Sequence, residues 1–303
     1  MLVLILAFLI GVPLWAWSKI SKVDAEPSGE RPTATPGTTY LLVGSDSREG
    51  LSAEEREDLT TGDVGGARTD TIMLMHVPRF GGKTLLLSLP RDSIVEVPGH
   101  GENKINAAYA LGGPQLLVRT VESETGLRVD DYVEIGLGGF SNIVDAVGGV
   151  EICPKKAMKD PKAGLDVAKG CQDADGQTAL GYARSRNVDG TGDIARVERQ
   201  REVVGAISSE AASPWSVVNP VRYFRLSSAG AESLVIGENV GPIDLGRFAW
   251  GMRKVTGEDG ITCTVPIVDL AVNWDDEAAD ALFEQIRQDD TDNIKCSRDG
   301  GIG

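Results

Sequence analysis

The chain has 303 residues, 41% of them hydrophobic, enough to bury the core of one large domain or two small ones. Forty-five acidic against 30 basic side chains give a formal net charge of −15, which excludes a phosphodiester backbone as the main partner. A polyanionic ligand has to be met by a local basic site inside an acidic shell.

Residues 1–17 are apolar throughout and uncharged. The stretch lies near the lower length limit of a membrane-spanning helix, and Trp15, Trp17, Lys19 and Lys22 stand where interfacial aromatic and basic residues belong. We expect residues 1–20 to be a retained anchor with the rest of the chain on the extracytoplasmic side of the membrane. Residues 21–39 are rich in Pro, Ser, Thr, Gly and charge and read as a flexible linker. The folded domain is expected to run over 40–303.

The fold opens on a buried strand, 40–46, that ends at Asp46. The acidic, glycine-bearing stretch 47–67 reads as loop or short surface helix. A second strand, 71–77, and a third, 83–89, flank the turn at 78–82 and form an antiparallel hairpin. Pairing outward from that turn sets Asp70 opposite Arg91. If the first strand lies antiparallel to the second, Asp46 converges on Asp70 at one sheet edge, flanked by Arg48 and Arg68. Two carboxylates brought together offer oxygen ligands for Mg²⁺ (or Mn²⁺), which shares its shell with waters and substrate phosphates.

Residues 103–124 read as a helix broken at Gly112-Gly113-Pro114, with Lys104 at its start. A strand at 132–137, a short helix to Asp145 and a strand ending at Cys153 follow, and 154–177 is polar and irregular. Then comes YARSRNVDGTGDIARVERQR, 182–201. A helix opens near Asp193, a good N-cap. At about 100° per residue Val197, Val203, Val204 and Ile207 share one side with Arg196 and Gln200, while Glu198 and Glu202 fall opposite. A guanidinium turned inward needs an anion, because burying a bare charge is very costly. That anion is an internal carboxylate or a ligand, and the density of arginines favours a phosphate or carboxylate ligand gripped by planar forks. Beyond Ser213 helical pieces lead to a late strand, 262–268, and an amphipathic helix, 276–288. Strands and helices interleave, so the expected fold class is α/β, a mixed central sheet with helices on both faces.

Four cysteines suit an exported chain and allow three pairings; the sequential one, Cys153–Cys171 and Cys263–Cys296, is preferred. Zinc is disfavoured, because no two cysteines have ligand spacing and His76 and His100 stand isolated.

VGSDSR, RTDTIMLMHV, LSLPRDS, KINAAYALGG and the arginine stretch, in this order, resemble the LytR-CpsA-Psr family over about residues 40–207. The resemblance implies an actinobacterial, membrane-anchored enzyme with an α/β/α sandwich and a hydrophobic groove for a lipid tail. It implies a phosphotransferase that moves a glycopolymer from a polyprenyl-pyrophosphate carrier onto peptidoglycan, by attack of a muramic acid hydroxyl. By residue-wise match Asp46 and Asp70 are the implied metal site. Arg68, Arg91, Lys104, Arg184, Arg186, Arg196 and Gln200 are the implied pyrophosphate-binding set, with Asp70, Arg91 and Arg196 central to catalysis. Asn187 departs from the family's frequent histidine. The rival readings are a polyprenyl-pyrophosphate hydrolase using the same site, and a non-catalytic lipid-carrier or cell-wall binding protein.

Overall fold

The computed structural model describes residues 2–45, 69–185, 193–255, 257–268 and 273–296. The chain divides into two compact units. One comprises Met1–Lys22, Arg48–Val64 and Ile135–Val235; the other comprises Val23–Ser47, Gly65–Glu134 and Ile236–Gly303.

The second unit is built on a mixed sheet. The strand order is Ser21–Val23, Leu234–Gly237, Asp131–Gly136, Thr38–Ser45, Thr69–Val77, Thr84–Leu89 and Gly260–Thr264, the first three strands straddling the division. Thr38–Ser45 pairs antiparallel with Thr69–Val77, with a register shift at Gly44/Ser45. Thr69–Val77 forms the expected hairpin with Thr84–Leu89, Ile72 opposite Leu89 and His76 opposite Leu85. Gly260–Thr264 adds in parallel. All six residues of Thr84–Leu89 are buried, so both faces of this strand are covered. That is why TLLLSL and TIMLMHV read as continuous apolar runs rather than alternating ones. Each Leu or Met buried here contributes about 1.5–3 kcal/mol.

The helix Ile105–Thr125 breaks at Gly112 and Gly113, the latter at φ 65°, just before Pro114. Proline disfavours helical geometry in the residue before it, and only glycine takes that positive φ without strain. Tyr109 on this helix donates to buried Glu134 at 2.9 Å, and Tyr132 donates to the same carboxylate at 2.6 Å. A hairpin of Ile94–Val97 with Gly101–Lys104 precedes the helix. Sequence patterning missed it because the strands are four residues long and the second is fully exposed.

The residues read as linker are held at two places. Ser21–Val23 joins the sheet, and the side chain of Arg31, only 9% exposed, forks onto Glu122 at 2.7–3.2 Å and donates to the Val129 carbonyl. Arginine in a Pro- and Ser-rich segment carries no hydrophobic signal, so this attachment is invisible to periodicity.

In the first unit Val144, Val150, Ile152, Met158, Leu165, Val167, Tyr182 and Val203 form the core. Residues 154–177 are not irregular. Met158–Asp160 pairs with Leu165–Val167, and Gln172–Ala174 pairs with Val150–Ile152. Three-residue strands are too short to register as alternation, though their burial does alternate. Gly176 opens the next helix so close to Ser141 that an added Cβ would lie 2.4 Å from its carbonyl oxygen. Disulfides join Cys153 to Cys171 and Cys263 to Cys296.

The helix Leu2–Trp17 has 16 residues, about 24 Å at 1.5 Å per residue. Among the described residues no helix is long and apolar enough to cross a membrane. Within its unit this helix lies along Pro220–Ser233. Trp15 stacks on Phe224 at 5.4 Å, and the Tyr223 hydroxyl donates to the Leu9 carbonyl at 2.9 Å.

Buried Asp131 gives the second unit a pH-dependent weak point. Desolvation, with Asp244 and Asp130 nearby, pushes its pKa up to about 7, against an opposing pull from Arg247. A carboxyl whose folded pKa is raised stabilises the fold when protonated, and that contribution is lost as pH rises from about 4 to about 7. Asp131→Asn is therefore expected to stabilise the protein at pH ~8 by about 1–2 kcal/mol, and the gain should vanish near pH ~4. Urea unfolding at the two pH values checks this; an equal effect at both contradicts it.

Candidate active site

The first cluster lies in the second unit, where the central hairpin ends. The pairing of Ile72 with Leu89, carried two residues further, sets Asp70 against Arg91, and the Arg91 Nη1 donates to Asp70 Oδ1. Arg91 also donates from Nε to Asp92 Oδ2 at 3.3 Å, and Lys104 Nζ donates to Asp92 Oδ1 at 2.7 Å. Two carboxylates and two cations thus alternate along one edge. Their side chains are accessible, from 15% for Arg91 to 55% for Lys104. The turn that carries Arg91 is fixed by the backbone. Ile105 N–H donates to Ser93 O at 2.8 Å, Asn106 N–H to Arg91 O at 3.2 Å, and Trp274 Nε1 to Ser93 Oγ at 2.9 Å.

Asp92 is a member of this cluster that sequence reasoning missed. It stands beside Arg91 in the chain, but its link to Lys104 depends on the hairpin that patterning did not find. Asp46, Arg48, Arg68 and Arg186 lie outside the described residues, so the convergence of Asp46 on Asp70 does too. Ser45, the residue before Asp46, pairs with Thr69. Hard carboxylate oxygens such as those of Asp70 fit the donor set that Mg²⁺ takes. Among the described residues the one compact group of metal-binding side chains elsewhere is Glu151, Cys153 and Cys171, and its cysteines are tied up in a disulfide.

The second set lies in the first unit, on the helix Asp193–Ala211. Arg196 is 2% exposed and Gln200 8%, and Val203 is fully buried, so the inward side is the one the helical wheel predicts. Arg199 is buried as well. Its guanidinium donates from Nε to the Tyr182 carbonyl at 3.1 Å and from Nη2 to the Ser185 carbonyl. These are acceptors left open at the end of the helix Gly176–Arg184, and a cation there also complements the helix dipole. Arg199 is thus a structural clamp. Arg184 occupies the last turn of that helix and is half-buried. Glu202, placed by the wheel on the outer side, instead accepts from the Tyr182 hydroxyl and from Cys153 N–H, both at 2.8 Å. A long side chain at the margin of a face reaches inward when hydrogen-bond donors wait there.

The chain thus carries an arginine–aspartate cluster at one strand end of a mixed sheet and, in its other unit, a helix that buries Arg196 and Arg199. The chain belongs to the LytR-CpsA-Psr family, whose model matches residues 17–229. It is 50% identical over 292 residues to a probable cell wall biosynthesis protein, LcpB of Corynebacterium glutamicum, covering 94% of this chain and 68% of that protein. It is 35% identical over 206 residues to the polyisoprenyl-teichoic acid–peptidoglycan teichoic acid transferase TagU of Oceanobacillus iheyensis, covering 66% of this chain and 57% of TagU. Among solved structures it shares its fold with a LytR-Csp2A-Psr enzyme from Actinomyces oris, at a TM-score of 0.71 and 23% identity over 88% of this chain and 95% of that one.

Proposed function

We propose that this chain transfers a glycopolymer from a polyprenyl-pyrophosphate carrier to peptidoglycan by phosphoryl transfer, on the extracytoplasmic side of a membrane. The observation that carries the proposal is the Asp70–Arg91–Asp92–Lys104 cluster: accessible, charge-alternating and fixed on rigid backbone. Its relatives LcpB and TagU, named for cell-wall biosynthesis and teichoic acid transfer, support the same reading.

In the reaction, an acceptor hydroxyl oxygen forms a bond to the phosphorus that carries the glycan. The bond from that phosphorus to the bridging oxygen breaks, and the polyprenyl phosphate leaves with the electron pair. The hydroxyl proton passes to solvent. Such transfers run on positioning and on neutralising the phosphate oxygens. In this reading Arg91 and Lys104, with Arg68, hold those oxygens. Asp70, with Asp46, holds Mg²⁺ or Mn²⁺, which when bound supplies further positive charge. Arg91 is held between Asp70 and Asp92, which orients its guanidinium.

Membrane attachment is part of the proposal. The uncharged helix Leu2–Trp17 is followed by Lys19 and Lys22, with Lys22 packed over the Trp17 ring at 4.8 Å. Beside it, Trp215, Val218, Val221 and Phe224 are exposed on a stretch, 214–231, that holds arginines but no acidic residue. Aromatic, aliphatic and basic side chains in that mixture suit the headgroup boundary.

Lipid extraction and mass spectrometry of protein purified from membranes test this reading. Polyprenyl phosphate or pyrophosphate is expected to co-purify; its absence, with other lipids retained, counts against it. In a transfer assay, Asp70→Ala is expected to lose metal-stimulated activity by about 10²-fold or more. An unchanged metal response in that variant removes Asp70 from the site.

A further inference from the structure

Along the strand that carries Asp70, seven residues and about 23 Å away at Val77, the second unit has a cleft of about 550 Å³. It is lined by the chain entering the sheet at Thr35–Thr38, by the turn after Val77, and by Arg247, Trp250 and Lys254 of the helix Pro242–Val255. Its walls are tied together. Asp289 accepts from the Arg79 backbone N–H at 3.0 Å and pairs with His76 at 2.8 Å. Gly37 passes over this pair at φ +85°, where a Cβ would lie 2.8 Å from both the His76 ring and the Asp289 carboxylate.

The lining is unusual for a chain of net charge −15. Arg79, Arg247 and Lys254 bring three cations to one cleft. Arg247 pairs with Asp244 at 3.2 Å, while among the described residues neither the Arg79 guanidinium nor the Lys254 ammonium has an ion pair. Trp250 is 54% exposed, with the Arg253 guanidinium 5.4 Å from its ring centre. An indole left half in water in a cleft with two cations outside any ion pair, Lys254 and an Arg79 that lies over the Phe80 ring, offers a stacking surface for a ring together with partners for anionic substituents.

We propose that this cleft binds an anionic glycan chain. A sugar ring stacks on Trp250, and phosphate or carboxylate groups along the chain meet Arg79 and Lys254. The inference rests on the glycopolymer reading above and extends it: about 23 Å from Asp70 the cleft cannot touch the reacting phosphate, so it grips the polymer away from its transferred end.

Calorimetric titration of the full chain in detergent tests this, in an Arg91→Ala background that disables the other anion-binding cluster. The probes are a phosphorylated oligosaccharide, a neutral dextran of equal length and inorganic polyphosphate. The phosphorylated oligosaccharide is expected to bind, and the dextran to bind at least tenfold more weakly. Lys254→Ala and Arg79→Ala are each expected to weaken oligosaccharide binding about tenfold. Trp250→Ala should weaken oligosaccharide binding while leaving polyphosphate binding as it was, which separates a sugar site from a bare phosphate site. No binding, equal binding of dextran, or wild-type affinity in Trp250→Ala or Lys254→Ala overturns the proposal. Transfer from a short lipid-linked donor is the second readout. Trp250→Ala with Arg91 intact should retain it, so loss of this cleft and loss of the transferase reading give different results.

Discussion

Arg91→Ala is expected to lower glycopolymer transfer by about 10²–10³-fold, the usual effect of removing one preorganised donor to developing negative charge. Arg91 meets Asp70 through Nη1 and Asp92 through Nε, and its turn is tied to the start of the helix Ile105–Thr125. The variant should still fold. Asp70 and Asp92 are 29% and 20% exposed, so water takes over the lost contacts, and partly exposed pairs contribute only about 1 kcal/mol. Arg91→Lys keeps the charge but loses the planar fork and should fall between the two. Steady-state transfer rates beside a thermal melt check the prediction. Wild-type transfer by a folded Arg91→Ala protein removes this residue from the chemistry.

Glu122→Ala is expected to cost about 3–5 kcal/mol of stability, the usual penalty for leaving a buried charge without its partner. Glu122 is 3% exposed and accepts from Arg31 through both Nε and Nη2 and from Val129 N–H. Arg31 keeps Glu26 and the Val129 carbonyl, which offsets part of the loss. Glu122→Gln keeps an acceptor for Val129 and should cost less. Chemical denaturation of both variants tests this. A loss below about 1 kcal/mol for Glu122→Ala contradicts the view that the segment after the N-terminal helix is locked onto the domain.

The sequence was informative wherever burial is continuous or helical. The runs around Leu74 and Leu86 located the central hairpin, and counting outward from its turn set Asp70 against Arg91, an opposition that a direct ion pair confirms. The inward side of Arg196, Gln200 and Val203 followed from helical spacing, because that signal needs only a few turns of chain. What escaped is long-range and polar. The attachment of Arg31 to Glu122 joins residues 91 apart, and no local pattern records it. Asp92 entered the site through a four-residue exposed strand at Gly101–Lys104. By sequence Arg199 is one more arginine of a basic stretch, and only the carbonyls at the end of the preceding helix show it to be a clamp. The cleft around Trp250 draws on three separated stretches of chain, none of which is distinctive alone.

The most direct test of the account is a single reaction: purified protein, a polyprenyl-pyrophosphate-linked glycopolymer labelled in the glycan, and a peptidoglycan oligomer as acceptor. The account predicts label joined to the oligomer through a new phosphodiester, with polyprenyl phosphate released in equal amount and only when the acceptor is present. Release of polyprenyl phosphate at the same rate without acceptor, with the labelled glycan left free, would make the protein a hydrolase and contradict it.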